Sequence, residues 1–112
     1  MKFGMFVLPT WPQRDPSYQG RIFHEMVEQL QYAEELGFES IRLADNQFTR
    51  FGINPSALPL ATYVAGQSKN IRIGTGVSLR NFHDPVFMTE SHRVLRRISP
   101  TAASSARNSC VR

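Results

Sequence analysis

Cysteine is almost missing from this chain. Cys110 is alone in 112 residues, so no internal disulfide can form, and a reducing, cytoplasmic setting is expected. Long apolar runs are missing too. No stretch approaches the ~18 apolar residues of a membrane span, and Phe3–Leu8 is too short for a signal-peptide core before Pro9 stops it. Acid is missing from the last twenty residues. Residues 93–112 hold five arginines and no Asp or Glu, a net of +5, while residues 1–92 hold eight Lys/Arg against nine acids, a net of −1. The chain's overall +4 is therefore a property of its end. No aromatic interleaves with those arginines to stack on bases, so neither a nucleic-acid nor a membrane partner is expected. The three histidines, His24, His83 and His92, fit no metal-ligand spacing. No serine sits in a nucleophile elbow.

What remains is an ordinary globular composition, 41% hydrophobic and 20% charged, arranged as alternating strand and helix signals. Lys2–Leu8 is a short apolar run closed by Pro9, which predicts a buried strand. Pro9, Pro12, Pro16 and Gly20 mark a long loop holding Trp11 and Tyr18, of a length common in lids and binding loops. From Arg21 the apolar positions become helical: Phe23, Met26, Val27, Leu30, Ala33 and Leu36, with Gly37 as the stop. Ser40–Ala44 predicts a second strand. Asn54-Pro55 reads as N-cap and first residue of a helix to about Gln67. Ile71–Val77 is the third strand. Asp84-Pro85 repeats the cap signal for a helix to Ile98 carrying Phe87, Met88, Val94, Leu95 and Ile98. Helix-length connections imply parallel strands with right-handed crossovers, an α/β chain. The first strand-to-helix loop lacks G-x-G-x-x-G, which weakens a dinucleotide fold. The unit fits either a doubly wound open sheet or a (β/α)₈ barrel, and since a complete barrel takes ~250 residues, three units cannot close one.

Several runs, in order and at consistent spacing, resemble the N-terminal third of the bacterial luciferase-like, flavin-dependent monooxygenases. They are Lys2-Phe3-Gly4, Glu35-Leu36-Gly37-Phe38-Glu39-Ser40, Phe48-Thr49-Arg50-Phe51-Gly52, Pro55-Ser56-Ala57-Leu58, Ile71-Arg72-Ile73-Gly74-Thr75 and His83-Asp84-Pro85. The resemblance implies a partial (β/α)₈ TIM barrel over residues 1–98. It also implies reduced FMN, supplied by a separate flavin reductase, and insertion of one oxygen atom from O2 into a small organic substrate. A sister branch of that fold uses the deazaflavin F420 instead.

Two departures follow. The family commonly reads Glu-His-His-Phe where this chain reads Asp45-Asn46-Gln47-Phe48. Asn46 thus replaces the family's catalytic histidine; an amide exchanges no protons near neutral pH but still hydrogen-bonds. Asp45, at the same strand end, and Gly76-Val77, at a position where the family's backbone bulges beneath the flavin ring, are expected to line the cofactor site. The second departure is residues 99–112, dominated by Ala, Ser and Arg without periodicity. They are expected to be a disordered basic tail from a shifted reading frame, leaving a truncated and inactive enzyme. The rival expectation is a non-catalytic flavin-binding or interaction module, a homo-oligomer paired through open strand edges. Arg42 is out of place in a parallel strand, which is normally apolar on both faces.

Overall fold

In the computed structural model, residues 1–11, 16–49 and 51–98 are described. Pro12, Arg50 and the 99–112 tail lie outside them. The elements follow the predicted order: β1 (Gly4–Val7), α1 (Tyr18–Glu35), β2 (Ser40–Leu43), α2 (Ala57–Gln67), β3 (Arg72–Thr75), a 3₁₀ turn at Arg80–Phe82 and α3 (Pro85–Ile98).

The strands form one parallel sheet in the order β1-β2-β3. Its register sets Phe6 beside Arg42 and Arg42 beside Gly74, and Val7 beside Leu43 and Leu43 beside Thr75. Side chains alternate across a strand, so Val7, Ile41, Leu43 and Ile73 share one face. They pack with Met26, Val27 and Leu30 of α1, Ala61 and Val64 of α2, and Met88 and Leu95 of α3 in a single core. On the other face Phe6, Arg42 and Arg72 are exposed. Three consecutive units with crossovers of one hand place every helix on one side. The result is a parallel wall with its helices on one side; in the (β/α)₈ barrel that the resemblance implies, the open face is the one a closed barrel encloses.

Local chemistry moves several boundaries. α1 starts at Tyr18 rather than Arg21, so Ile22 joins the buried stripe and Phe23 is only partly covered. Leu36, expected in that stripe, is exposed, because the helix has ended and Leu36 is its C-cap beside Gly37 at φ 86°. Asn54-Pro55 does not cap α2. That helix starts at Ala57, Ser56 makes no side-chain cap bond, and the Ala57 N–H is taken by Asp45 Oδ1 from the end of β2. Asn54 is buried elsewhere: its Nδ2 donates to the Ala44 carbonyl at 2.9 Å, and its own carbonyl accepts the Asn46 N–H at 2.8 Å. The Asp84 cap is present, with Oδ1 accepting the Val86 and Phe87 N–H groups at 2.9 Å each. On α3 only Met88 and Leu95 of the five expected apolar positions are buried; Phe87, Val94 and Ile98 are exposed. α3 packs mainly on α2, so its far side has no neighbour among the described residues.

Candidate functional site at the carboxyl ends of the strands

Barrel chemistry collects where strands end and loops begin. Here that end is organised by one carboxylate. Asp45 follows β2 and its side chain is completely covered. Oδ1 accepts the Ala57 N–H at the start of α2. Oδ2 accepts the Ser78 hydroxyl at 3.2 Å and the Leu79 N–H at 3.1 Å, both from the segment after β3. The Asp45 N–H reaches the Val77 carbonyl at 3.4 Å. A buried carboxylate is tolerated when its lone pairs are taken by donors, and these donors come from both flanking loops. Asp45 therefore ties the α2 entrance to the β3 exit. His83 closes the cluster: its Nε2 lies 3.7 Å from Asp45 Oδ2, beyond hydrogen-bond length, and is buried without a partner. Ser78 and His83 are the residues that the strand-end reading left out. His83 stood in the His83-Asp84-Pro85 run; for Ser78 the sequence offered only a carboxylate at the end of β2 with no partner nearby in the chain.

Asn46 is held differently. Its backbone N–H is fixed by Asn54, and its side chain fills the space above Gly52, where a Cβ would stand 2.5 Å from Asn46 Cβ and 2.6 Å from Cγ and Nδ2. No hydrogen bond engages the Asn46 carboxamide among the described residues, so its donor and acceptor are free for a ligand. Gln47 points its amide back, Nε2 donating to the Pro55 carbonyl at 2.8 Å. Phe48 follows with φ 57°, left-handed and unusual for a bulky residue, and is fully exposed. The Ile53 N–H donates to the Pro9 carbonyl at 3.0 Å, joining this loop to the end of β1.

Gly76 and Val77 stand at the end of β3, which stops at Thr75, two residues short of the predicted strand. The peptide bond between them is cis. A Cβ on Gly76 would lie 3.0 Å from Arg42 Cβ and 3.5 Å from Phe6 Cε2, so the segment rests directly on the open sheet face. Val77 is exposed, as are Phe51, Leu79 and Phe82, giving this end an apolar rim. The sequence-predicted residues Asp45, Asn46, Gly76 and Val77 thus sit at one end of the sheet. His24 and His92 do not join them: His24 is exposed on α1, and His92 donates through Nδ1 to the Met88 carbonyl at 2.7 Å. Among the described residues no group of three or more His, Cys, Asp or Glu is placed to hold a metal ion.

A cleft of about 360 Å³ lies at the opposite end, lined by Lys2, Glu34, Phe38, Glu39, Asn70 and Arg72. The amino-terminal face of such a barrel serves stability, and Glu34 shows how. From the last turn of α1 its carboxylate accepts the N–H groups of Lys69, Asn70 and Ile71. Burial works to raise its pKa, but the hydrogen bonds from Asn70, Lys69 and Ile71 outweigh this and hold it below the ordinary glutamate value.

The luciferase-like monooxygenase family model matches residues 1–100. The chain belongs to that family. Among relatives, the alkanal monooxygenase alpha chain of Photorhabdus laumondii subsp. laumondii is 30% identical over 100 residues, 88% of this chain and 27% of its own length. The chain thus spans little more than a quarter of that relative. Monooxygenase RslO1 from Streptomyces bottropensis superposes with a TM-score of 0.82 at 26% identity, over 92% of this chain and 31% of that one. The oxygenating constituent of 3,6-diketocamphane monooxygenase from Pseudomonas putida, solved with FMN, gives 0.79 at 18% over 88% and 26%. The coenzyme F420-dependent tetrahydromethanopterin reductase of Methanopyrus kandleri gives 0.69 at 22% over 91% and 25%. The fold is the first three βα units of a luciferase-like (β/α)₈ barrel. No described helix is long and apolar enough to cross a membrane.

Proposed function

We propose that this chain contributes the floor and one side of a flavin site in a luciferase-like monooxygenase. The cofactor would be reduced FMN delivered by a flavin reductase, the co-substrate O2, and the substrate a small organic molecule. The observation that carries the reading is the shared anchor at Asp45, which brings Asn46 and the Gly76–Val77 segment to one strand end within a family of flavin monooxygenases. The residues suit a planar, partly apolar cofactor. Gly76 presents backbone without a side chain, Val77 offers an apolar surface, and the free Asn46 carboxamide can both donate to and accept from a ring edge. When bound, reduced flavin supplies the two electrons that activate oxygen. The protein's part is to orient it: Asp45 fixes both loops, Gly52 fixes Asn46, and the rim of Phe51, Leu79 and Phe82 excludes water. General acid–base help is worth ~10²–10⁴-fold, and Asn46 provides hydrogen bonds in its place.

Titrating FMN into the chain, with quenching of flavin fluorescence as the readout, tests this. Saturable quenching that Asn46→Ala weakens supports the site; unchanged fluorescence at millimolar protein sinks it. A parallel titration with F420 decides between the two cofactors. Catalysis also draws on groups from the remaining barrel strands, so the 112-residue chain alone is expected to leave decanal unoxidised with reduced FMN and O2. Product formed by the pure chain would overturn that expectation.

A further inference from the structure

We infer that Arg42 holds the anionic ring edge of the reduced flavin and so makes the site prefer the reduced over the oxidised cofactor. This deepens the proposal above and rests on it. The inference begins with an anomaly of charge. Strands of a parallel sheet are ordinarily apolar on both faces, yet Arg42 lies mid-strand in β2, between Phe6 and Gly74, on the face that a closed barrel would enclose. Its stem is pinned. A Cβ at Gly76 would come within 3.0 Å of Arg42 Cβ and 3.5 Å of its Cδ, so the guanidinium begins one bond from an atom already beside the Gly76–Val77 segment.

The cation has no counter-ion among the described residues. Glu39 pairs with Lys2, Glu25 with Arg21 and Glu90 with Arg93. Asp45 is committed to Ala57, Ser78 and Leu79, and Glu34 to the amides before β3. Arg42 is exposed on this wall, but a closed barrel would cover the face it stands on, and a covered cation requires a partner anion. At this end the partner is the ring system proposed to lie over Gly76. Oxidised isoalloxazine is neutral, whereas the reduced form ionises at N1 near neutral pH and spreads the charge to the C2 carbonyl oxygen. A planar guanidinium with paired N–H donors matches that edge. The phosphate of FMN carries the same charge in both redox states, so a cation placed there would not discriminate between them.

The test is an anaerobic titration of the full chain with oxidised and with photoreduced FMN, comparing wild type, Arg42→Gln and Arg42→Lys, with circular dichroism as the folding check. Wild type should bind the reduced form more tightly. Arg42→Gln should weaken reduced FMN by about 10- to 100-fold, the worth of one charge-assisted hydrogen-bonded contact, and oxidised FMN by less than about twofold; Arg42→Lys should fall between. Equal loss for both forms would put the charge at the phosphate and overturn the assignment. Unchanged binding in Arg42→Gln overturns it also, leaving the flavin site intact. Binding of neither form by wild type removes the flavin reading and this inference together.

Discussion

Gly52 has no positive φ to excuse it; what it lacks is room. A methyl group there would run into the side chain of Asn46, which supplies its three nearest atoms. Gly52→Ala should therefore cost about 1–3 kcal/mol by overpacking, and Asn46→Gly in the same chain should recover most of it. Denaturant unfolding of the two singles and the double measures the coupling; additive losses would mean that Asn46 is not what occupies the space. Phe48 shows the other kind of residue-scale constraint, a bulky side chain held in the left-handed region, where such residues are strained. Phe48→Asn, which accepts that conformation more readily, is expected to hold or raise the thermal midpoint while removing the exposed ring from the site. A lower midpoint would contradict this. The sequence marked Asn46 and Asp45 through their place at a strand end. It did not mark Gly52 as their support, because steric fit between residues six apart in a loop leaves no periodic trace.

Elements are joined here by side chains that cross from one to the next. Asp45→Asn removes the charge that accepts from α2 and from the segment after β3, and should cost about 2–3 kcal/mol by the usual worth of hydrogen bonds to charged groups, read by urea unfolding. A loss below about 0.5 kcal/mol would show that Asp45 is not the anchor. Glu34 does the same work at the other end, and its sign with pH follows from its lowered pKa. The folded state holds the ionised form more strongly than the unfolded chain does. Its contribution is complete above the ordinary value of 4.5 and is lost as pH falls through the lower folded value. Glu34→Gln should flatten that acid limb and leave the dependence above pH ~5 unchanged; an unaltered limb would remove Glu34 from the account. Element types and order were legible because hydrophobic period and helix stops such as Gly37 are local. The start of α2 was not. Asn54-Pro55 carries the local cap signal, but the cap arrives from Asp45, through a contact that only the folded sheet creates.

At the scale of the whole molecule, what matters is what the wall leaves open. β1 and β3 each have one edge free of strand partners in the described sheet, Phe6 is exposed on the inner face, and Phe87, Val94 and Ile98 are exposed on α3. Exposed edges and apolar patches favour association, so sedimentation of the 112-residue chain should show mass rising with concentration. A strict monomer at 100 µM, or on that order, would show these surfaces too weak to associate. The barrel itself could not be read from three strand–helix units, because a doubly wound sheet can start the same way. Arg42 could be seen as anomalous in the sequence, but its neighbour Gly76 emerges only once β2 and β3 are in register.

The shared carboxylate has a consequence for how such a protein can change. Loops of a barrel are commonly treated as parts that can be exchanged one at a time. Here the segment after β2 and the segment after β3 answer to the same carboxylate, so replacing the first strands the Ser78 and Leu79 donors, and replacing the second leaves Asp45 Oδ2 buried without them. Variation in this region, whether by natural divergence or by grafting, should come in matched pairs of loops or else spare Ala57, Ser78 and Leu79.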